Sequence, residues 1–284
     1  MPSCLHPLPA WRTLGGVTLR EPLDDEWKIE GLRLPCGGCL ACRANRARDW
    51  AIRCQLELKD HNEACWVTLT YSDDMLPLTL QKPDLSSWLK RLRARHQGTR
   101  SIRFFASGEY GERTQRPHYH AILFGLSDHP SIQATWPHGY AQVDQLSPAA
   151  IAYVAGYTSK KIGWKLEPRE RSDPETGECY TWQPPFIHMS RNPGIASSVR
   201  ANWLSWRTSA IYNGRSVPVP RFLHEAFRAK ASVNALDKLK TEKDTKLITP
   251  LPPTATIDYY HDRLKAEKAI LVAKHDYQSS KRDR

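Results

Sequence analysis

The chain has 284 residues, of which 41 are Lys or Arg and 30 are Asp or Glu, so its formal net charge is +11. A basic balance of this size points to a polyanionic partner such as a nucleic acid. No stretch of the sequence has the roughly 20 consecutive apolar residues of a membrane span. The polar stretch MPSCLHPLPAWR also lacks the apolar segment of a secretory signal. These two features predict an intracellular protein without a membrane partner.

The first 42 or so residues are rich in Pro, Gly and Cys and show little periodicity, which predicts a loop-rich cap. Cys36, Cys39 and Cys42 follow a C-x2-C-x2-C spacing, which in a reducing compartment indicates metal ligation more than a disulfide framework. A closed structural zinc site needs four ligands. Cys4, with His6 close behind, is the candidate that completes the set. The alternative is a group of redox-exposed or loop-buried cysteines without a metal. The same spacing also opens iron–sulfur signatures, but this chain does not complete one.

Regular periodicity begins after the cysteines. From Ala44 to Leu58, apolar residues at helical spacing predict an amphipathic helix whose remaining surface carries arginines. The stretch ACWVTLTY, residues 64–71, is rich in β-branched and aromatic residues and alternates as a sheet strand does. In KPDLSSWLKRLRAR, residues 82–95, an apolar stripe follows a Pro-Asp start and predicts a second helix with a basic far side.

Three further strands and a helix complete the predicted core. The strands are SIRFFASGEY, HYHAILFG and GYAQVD, and the polar loop GERTQRP joins the first two. Ser147 as N-cap and Pro148 at the first helical position predict a helix over about 148–162. Because short hairpin loops join antiparallel strands, the fold class is α+β with a central antiparallel sheet flanked by helices, and not a βαβ nucleotide fold.

A Cys-rich N-terminal module and a helical C-terminal extension flank this core, so the predicted organisation has four parts. They are 1–60, the Cys-rich cap and the basic helix; 61–165, the core; 166–220, a polar insertion and a core-completing segment; and 221–284, a basic helical extension. Within the last part, TPLPPT at 249–254 predicts a linker, and a charged helix is predicted over about 256–276.

Two histidines open the strand HYHAILFG. Residues two apart on a strand point to the same side, so His118 and His120 lie side by side. Glu109 ends the preceding strand, and the hairpin would carry it back beside them, with Glu112 as the rival third ligand. Two imidazoles and one carboxylate suit a divalent ion that keeps positions open for substrate oxygens. The alternatives are ordinary surface or core histidines and a Glu109 that pairs with a nearby arginine.

Two tyrosines on the predicted helix form a second constellation. Tyr153 and Tyr157 are four residues apart and share a face, which Lys160 or Lys161 extends by a turn. With a pKa of about 10, a tyrosine hydroxyl stays protonated at neutral pH unless nearby charge stabilises the phenolate. A metal ion and a lysine would supply that charge for attack on a phosphodiester. The alternative is a helix that packs two aromatic rings on the core, with solvated lysines at its end.

Basic residues on and after the second helix form a run without an acid. Such a run predicts phosphate contacts and salt-dependent DNA affinity, although a solvated helix face has the same composition. The residues are Lys90, Arg91, Arg93, Arg95, Arg100 and Arg103.

Three motifs in order resemble those of the HUH endonuclease superfamily: WVTLTYSDD, PHYHAILFG and YVAGYTSKK. Together with PCGGCLACR, SGEYGERTQRPHYH and FIHMSRNPGI, they most resemble the replication initiation protein of gokushovirus-like microviruses, which are small single-stranded DNA phages. The similarity covers about residues 36–200. It implies that His118, His120 and Glu109 bind the metal, that Tyr153 and Tyr157 are paired nucleophiles, and that Lys160 is the accompanying lysine.

The resemblance also implies an activity. The protein would be a metal-dependent endonuclease and strand transferase for rolling-circle replication, which nicks single-stranded viral origin DNA, forms a 5′-phosphotyrosine and later rejoins the strands. It would use Mg²⁺ or Mn²⁺ for catalysis and Zn²⁺ for structure, in the host bacterial cytoplasm, with a host polymerase and, because no P-loop is present, a host helicase. The alternatives are a non-enzymatic, zinc-stabilised single-stranded DNA-binding protein and a relaxase or transposase of the same superfamily.

Overall fold

The structure is a computed structural model that describes residues 4–13, 16–20, 30–160, 169–173, 176–212, 215–247, 269 and 272–273. It divides into two compact units, one formed by residues 1–45 and 240–284 and the other by residues 46–239. The helices are α1 (Leu40–Leu58), α2 (Lys82–Arg95), α3 (His129–Ala134), α4 (Pro148–Lys160), α5 (Ser197–Ala201), α6 (Arg221–Lys230) and α7 (Val233–Leu247). The strands are β1 (Leu8–Thr13), β2 (Gly16–Thr18), β3 (Glu30–Leu34), β4 (Ala64–Tyr71), β5 (Arg103–Tyr110), β6 (Pro117–Phe124), β7 (Gly139–Gln145), β8 (Arg169–Ser172), β9 (Cys179–Trp182), β10 (Phe186–Met189), β11 (Ser209–Tyr212) and β12 (Arg215–Pro218).

A five-stranded antiparallel sheet forms the centre of the larger unit, in the order β10-β5-β6-β4-β7. The predicted α+β class, with an antiparallel sheet flanked by helices, is therefore confirmed. The strand over 64–71 and the helix over 82–95 have the predicted bounds. Helix α4 starts as predicted, since the Ala150 N–H donates to Ser147 Oγ at 3.1 Å as an N-cap requires.

Apolar side chains cover both faces of this sheet. On one face, the buried stripe of α2, which includes Trp88 and Leu92, packs with α3 and with Tyr119 of the sheet. On the other face, α1 and α4 pack over the sheet side chains. Tyr119 therefore points away from its two histidine neighbours, as the strand alternation predicted.

A buried ionic network fixes the segment after β10 to the core. The Glu57 carboxylate is 2% exposed, accepts the Ala196 N–H at 2.6 Å and forms ion pairs with His61 and Arg103. The Arg103 guanidinium also donates to the Pro193 and Gly194 carbonyls at 2.9 Å. Because a buried carboxylate needs such partners, the motif FIHMSRNPGI has a structural use in this network.

The N-terminal segment differs from its prediction as a loop-rich cap. Strands β1, β2 and β3 form a three-stranded antiparallel sheet in the order β2-β1-β3. These strands were not predicted because they are short and because the first of them contains Pro9, a residue that argues against a strand in the sequence. The pairing of β1 with β3 also joins segments about 20 residues apart, which local periodicity does not reveal.

Other short elements were also missed. Helix α3 has six residues and strand β10 has four, both too short for a periodic signal. Strand β10 pairs with β5 at the edge of the central sheet and so completes the core. The polar insertion contains the β8–β9 hairpin.

The C-terminal extension is helical in α6 and α7, as predicted. The predicted linker at 249–254 and, apart from residues 269, 272 and 273, the predicted helix at 256–276 lie outside the described residues. The four-part division is finer than the two compact units and stays a prediction. Among the helices that the structure describes, none has the length and apolar character that crossing a membrane requires.

Candidate active site

The β5–β6 hairpin brings three polar side chains together on the face of the sheet that α1 and α4 cover. Glu109 lies directly opposite His118 in the antiparallel register, and His120 follows two residues later on the same face. One ligand atom from each of these three residues lies within 4.8 Å of the others. Glu112 is exposed in the turn and does not belong to this cluster, so the geometry selects Glu109 from the two predicted alternatives.

The two imidazoles present the same nitrogen to the carboxylate. His118 Nε2 lies 3.2 Å from Glu109 Oε1, and His120 Nε2 lies 3.0 Å from the same oxygen. Glu109 and His120 are buried, at 7% and 6% exposure. Three convergent polar groups at this depth are costly without partners, and they form a site that a cation would complete.

The other ring nitrogens have partners of their own. His118 Nδ1 lies 3.1 Å from the Arg116 carbonyl oxygen, which can accept a hydrogen bond from Nδ1–H and so leave Nε2 to bind an ion. His120 Nδ1 lies 3.1 Å from Thr68 Oγ1. Metal-binding histidines are oriented by such bonds through the second nitrogen.

The spacing of the cluster fits a six-coordinate ion. Neighbouring ligands at about 2.1 Å from an octahedral Mg²⁺ or Mn²⁺ are about 3.0 Å apart, close to the distances between Glu109 Oε1 and the imidazoles. Ser107 lies opposite His120 and is fully buried, and its hydroxyl has no hydrogen-bond partner among the described residues. A polar group in this position suits an ion that carries water or substrate oxygens, so the residues present fit a divalent cation with open positions.

Tyr153 stands beside the cluster. Its ring centroid lies 5.8 Å from that of His120 and 5.5 Å from that of Trp66, so α4 places this tyrosine against the histidine strand. Tyr157 and Lys160 follow on the same helix, but their side chains lie outside what the structure describes. The structure therefore brings together four of the six residues that were predicted for catalysis and metal binding.

Two other tyrosines, on the opposite face of the sheet, have a different environment. Burial raises the pKa of Tyr119 to about 12, and burial together with the hydrogen bond to Tyr119 raises the pKa of Tyr71 still further. The Tyr71 hydroxyl lies 2.7 Å from both Asp84 and Tyr119. These buried hydroxyls hold the core together in protonated form and are poor nucleophiles.

The four predicted cysteine ligands form a second cluster, in the smaller unit. The thiols of Cys4, Cys36, Cys39 and Cys42 lie within 4.8 Å of one another, with Cys4 and Cys39 Sγ 3.8 Å apart. All four are free thiols. Backbone N–H groups of Leu5, Cys36 and Cys39 donate to three of the sulfurs at 3.2 to 3.4 Å.

Burial alone would raise the pKa of Cys39, but hydrogen bonds from the backbone N–H groups of Cys42 and Leu5 and from the side chains of Cys42 and Cys36 together lower this pKa to about 6. Burial raises the pKa of the neighbouring Cys42 to about 12. The thiolate is the form of cysteine that binds metal. The cluster therefore has the ligand number and the chemistry of a closed metal site.

The basic run lies away from the histidine cluster. Helix α2, which carries Lys90, Arg91, Arg93 and Arg95, packs on the sheet face opposite the histidines. Arg91 donates to the Thr135 carbonyl at 2.9 Å and Arg93 donates twice to the Ile102 carbonyl. Burial lowers the pKa of Arg93. Contact of this run with DNA stays a prediction, and the arginines also tie α2 to neighbouring segments.

Trp66, Thr68, Gln142 and Asp144 surround the cluster but were not singled out from the sequence. Trp66 and Thr68 alternate with core residues in ACWVTLTY, which places them on one face. Trp66 pairs with Asp144, and Thr68 with Gln142, across β4 and β7. A reading of the strand alternation together with the order of the strands would have found them.

The comparisons with known proteins concern this part of the chain. Residues 64–162 match the model of the family described as Replication-associated protein ORF2/G2P. That range contains Glu109, both histidines and the tyrosine helix, and it excludes the four-cysteine cluster. No solved structure matches the chain.

Three curated relatives are replication-associated proteins of phages. The chain is 32% identical to ORF2 of Spiroplasma virus 4 over 46% of this chain and 49% of the relative. It is 27% identical to VP4 of Bdellovibrio phage phiMH2K, over 56% and 58%, and 30% identical to ORF4 of Chlamydia phage 1, over 49% and 41%. The chain thus spans about half the length of these relatives. The predicted resemblance to microvirus replication initiators is confirmed, and residues 64–162 match the replication-associated protein ORF2/G2P family.

Proposed function

We propose that the protein initiates and ends rolling-circle replication of a small single-stranded DNA phage by cutting and rejoining the origin strand with tyrosine. The observation that carries this proposal is the position of Tyr153 against His120, whose Nε2 faces the Glu109 carboxylate. A nucleophile beside a candidate metal site is the arrangement that attack on a phosphodiester requires. The names of the phage relatives support the replicative role.

Glu109, His118 and His120 would hold Mg²⁺ or Mn²⁺ in this reaction. The bound ion would polarise a non-bridging oxygen of the scissile phosphate and orient that group for attack. Thr68 and the Arg116 carbonyl keep the two imidazoles in the orientation that ligation needs.

Tyr153 Oη attacks the phosphorus in the cutting step. The Oη–P bond forms as the P–O3′ bond breaks, the phenolic proton passes to solvent, and the leaving 3′ oxygen takes up a proton. The products are a 5′-phosphotyrosine and a 3′ hydroxyl for a host polymerase. Since the phosphotyrosine conserves the bond energy, no nucleotide is consumed.

Tyr157, one helical turn beyond Tyr153, would be the partner nucleophile that cuts the regenerated origin after one round. The 3′ hydroxyl released by this second cut then attacks the first phosphotyrosine, restores the phosphodiester and frees the tyrosine. Lys160 would supply positive charge to the pentacoordinate phosphate. Host helicase would unwind the duplex in the bacterial cytoplasm, and Lys90, Arg91, Arg93 and Arg95 would contact DNA phosphates.

For the four-cysteine cluster, we propose Zn²⁺ in a structural role. A tetrahedral zinc ion with Zn–S bonds of about 2.3 Å separates its sulfurs by about 3.8 Å, the distance between Cys4 and Cys39 Sγ. Among the described residues of 4–45, the buried apolar side chains are only Ala10, Ala41 and Cys42. An ion bound by all four thiolates would cross-link the segment before β1, the turn after β3 and the first turn of α1.

The test of the catalytic proposal is covalent capture of origin DNA. Purified protein is incubated with end-labelled single strands that tile the phage origin, with Mn²⁺ or Mg²⁺, and separated on a denaturing gel. We expect a protein–DNA adduct with wild type and none with Tyr153→Phe/Tyr157→Phe or His118→Ala/His120→Ala. DNA binding without any adduct, on every strand and with either ion, would favour a non-enzymatic DNA-binding protein.

A further inference from the structure

A cleft of about 660 Å³ opens beside the metal cluster on the same face of the sheet. His120 and Tyr153 line it, so it adjoins the atoms that would react, and Trp66, Gln142 and Asp144 line it as well. Its volume is within the range of small-molecule sites, about 300 to 1,000 Å³. The cleft is therefore large enough for one nucleotide unit of a substrate.

Aromatic rings form one wall of this cleft. The Trp66 ring centroid lies 5.5 Å from that of Tyr153 and 5.9 Å from that of His120. Such rings stack unpaired bases, whatever the sequence.

An acidic side chain lies beside the Trp66 ring. Asp144 lies directly across from Trp66 in the β4–β7 register, so the two side chains share one face of the sheet. Gln142 Nε2 donates to Asp144 Oδ2 at 3.0 Å, which orients the carboxylate and leaves at least one lone pair on each oxygen for a ligand. An ionised carboxylate only accepts hydrogen bonds and repels phosphate. The occupant is therefore a group that donates, and not the DNA backbone.

We propose that this cleft binds one unpaired guanine of the DNA strand next to the phosphate that is cut. Of the four bases, guanine alone presents two adjacent donors, N1–H and N2–H, that match the two oxygens of a carboxylate, with the acceptor O6 beside them. Asp144 accepts hydrogen bonds from N1–H and N2–H, and the ring of Trp66 stacks on the base. This inference rests on the proposed function for its substrate, single-stranded DNA, and identifies a specificity residue of the same site.

Equilibrium binding without metal tests the proposal. The probes are fluorescent 13-nucleotide oligo-dT strands whose central base is guanine, inosine, adenine or thymine, titrated with wild-type protein in EDTA. We expect guanine to bind about tenfold tighter than thymine, from a bidentate contact of the usual size. Inosine lacks the N2 amino group, so its affinity should fall most of the way toward that of thymine.

Two substitutions locate the effect. Asp144→Asn should reduce the guanine preference to less than about twofold, because the amide no longer offers two acceptors. Asp74→Asn, which changes an exposed carboxylate outside the cleft, is the matched control and should keep the preference. Trp66→Ala removes the stacking ring and should weaken binding of all four strands.

Equal affinity of wild type for all four strands, or an unchanged preference in Asp144→Asn, would overturn the proposal. Its failure is separable from failure of the proposed function, since the binding assay needs neither metal nor cleavage. An adduct without a guanine preference removes the guanine site alone. A guanine preference without an adduct removes the nicking activity and leaves a base-binding site.

Discussion

The two candidate metal clusters of this protein differ in ligand number, ligand type and position. Glu109, His118 and His120 offer two nitrogens and one oxygen from adjacent strands of the central sheet. The second cluster offers four sulfurs, from a segment before β1, a turn after β3 and the first turn of α1. Three ligands leave coordination positions for a substrate, whereas four thiolates close a tetrahedral ion.

In our proposal, the Glu109–His118–His120 cluster serves chemistry and the four-cysteine cluster serves folding. Strands pin Glu109 and the histidines in a network that other residues already support. The cysteines join three segments of the N-terminal part of the chain, before β1, after β3 and in the first turn of α1. We therefore expect loss of the first metal to stop catalysis with little effect on folding, and loss of the second to disrupt folding locally.

The largest effect is expected from Cys39→Ser. A structural zinc ion contributes on the order of 10 kcal/mol to the folding of small zinc domains, so removal of one thiolate should release the ion and unfold the N-terminal module. Metal content and thermal unfolding measure this. Cys179→Ser changes an exposed cysteine outside the cluster and is the control. A Cys39→Ser protein with full zinc content and an unchanged melting temperature would exclude a structural role for a metal ion at this cluster.

A smaller, catalytic loss is expected from Glu109→Gln. The amide keeps the shape but loses the charge that holds a divalent ion, and loss of several kcal/mol of transition-state stabilisation lowers the rate by about 10³-fold or more. The rate of adduct formation at saturating DNA measures the effect. Glu112→Gln, in the neighbouring turn, should react like wild type. Equal rates for both variants would exclude Glu109 as a ligand.

The smallest effect is expected from Thr68→Val. This substitution keeps the volume but removes the hydroxyl at His120 Nδ1, and loss of such an orienting group typically weakens metal affinity about 10- to 100-fold. Titration of adduct formation with Mn²⁺ gives the affinity. Thr70→Val, two residues along the same strand face and exposed, should change it little. If both variants respond alike, the His120 orientation does not depend on Thr68.

Local patterns predicted much of the fold and of the candidate site. The apolar stripe of α2, the N-cap of α4 and the alternation of His118 and His120 depend on neighbours in sequence, and the structure agrees with each. The choice of Glu109 over Glu112 needed only the register of one hairpin.

Features that depend on distant pairing were not predicted. Asp144 lies beside Trp66 because β7 pairs with β4, although the two residues are 78 positions apart in the chain, and no local pattern encodes such a pairing. The three-stranded N-terminal sheet has the same origin. The basic run of α2 lies on the sheet face opposite the histidines because the packing of apolar side chains, and not charge, decides which face a helix covers.

In the reaction that we propose, a tyrosine on α4 becomes covalently linked to DNA. The most direct measurement is mass spectrometry of the adduct after nuclease digestion, with fragmentation of the tryptic peptide to locate the retained nucleotide. We expect a 5′-linked nucleotide on Tyr153 or Tyr157. A nucleotide on any other residue, or linkage through a 3′ phosphate, would contradict it.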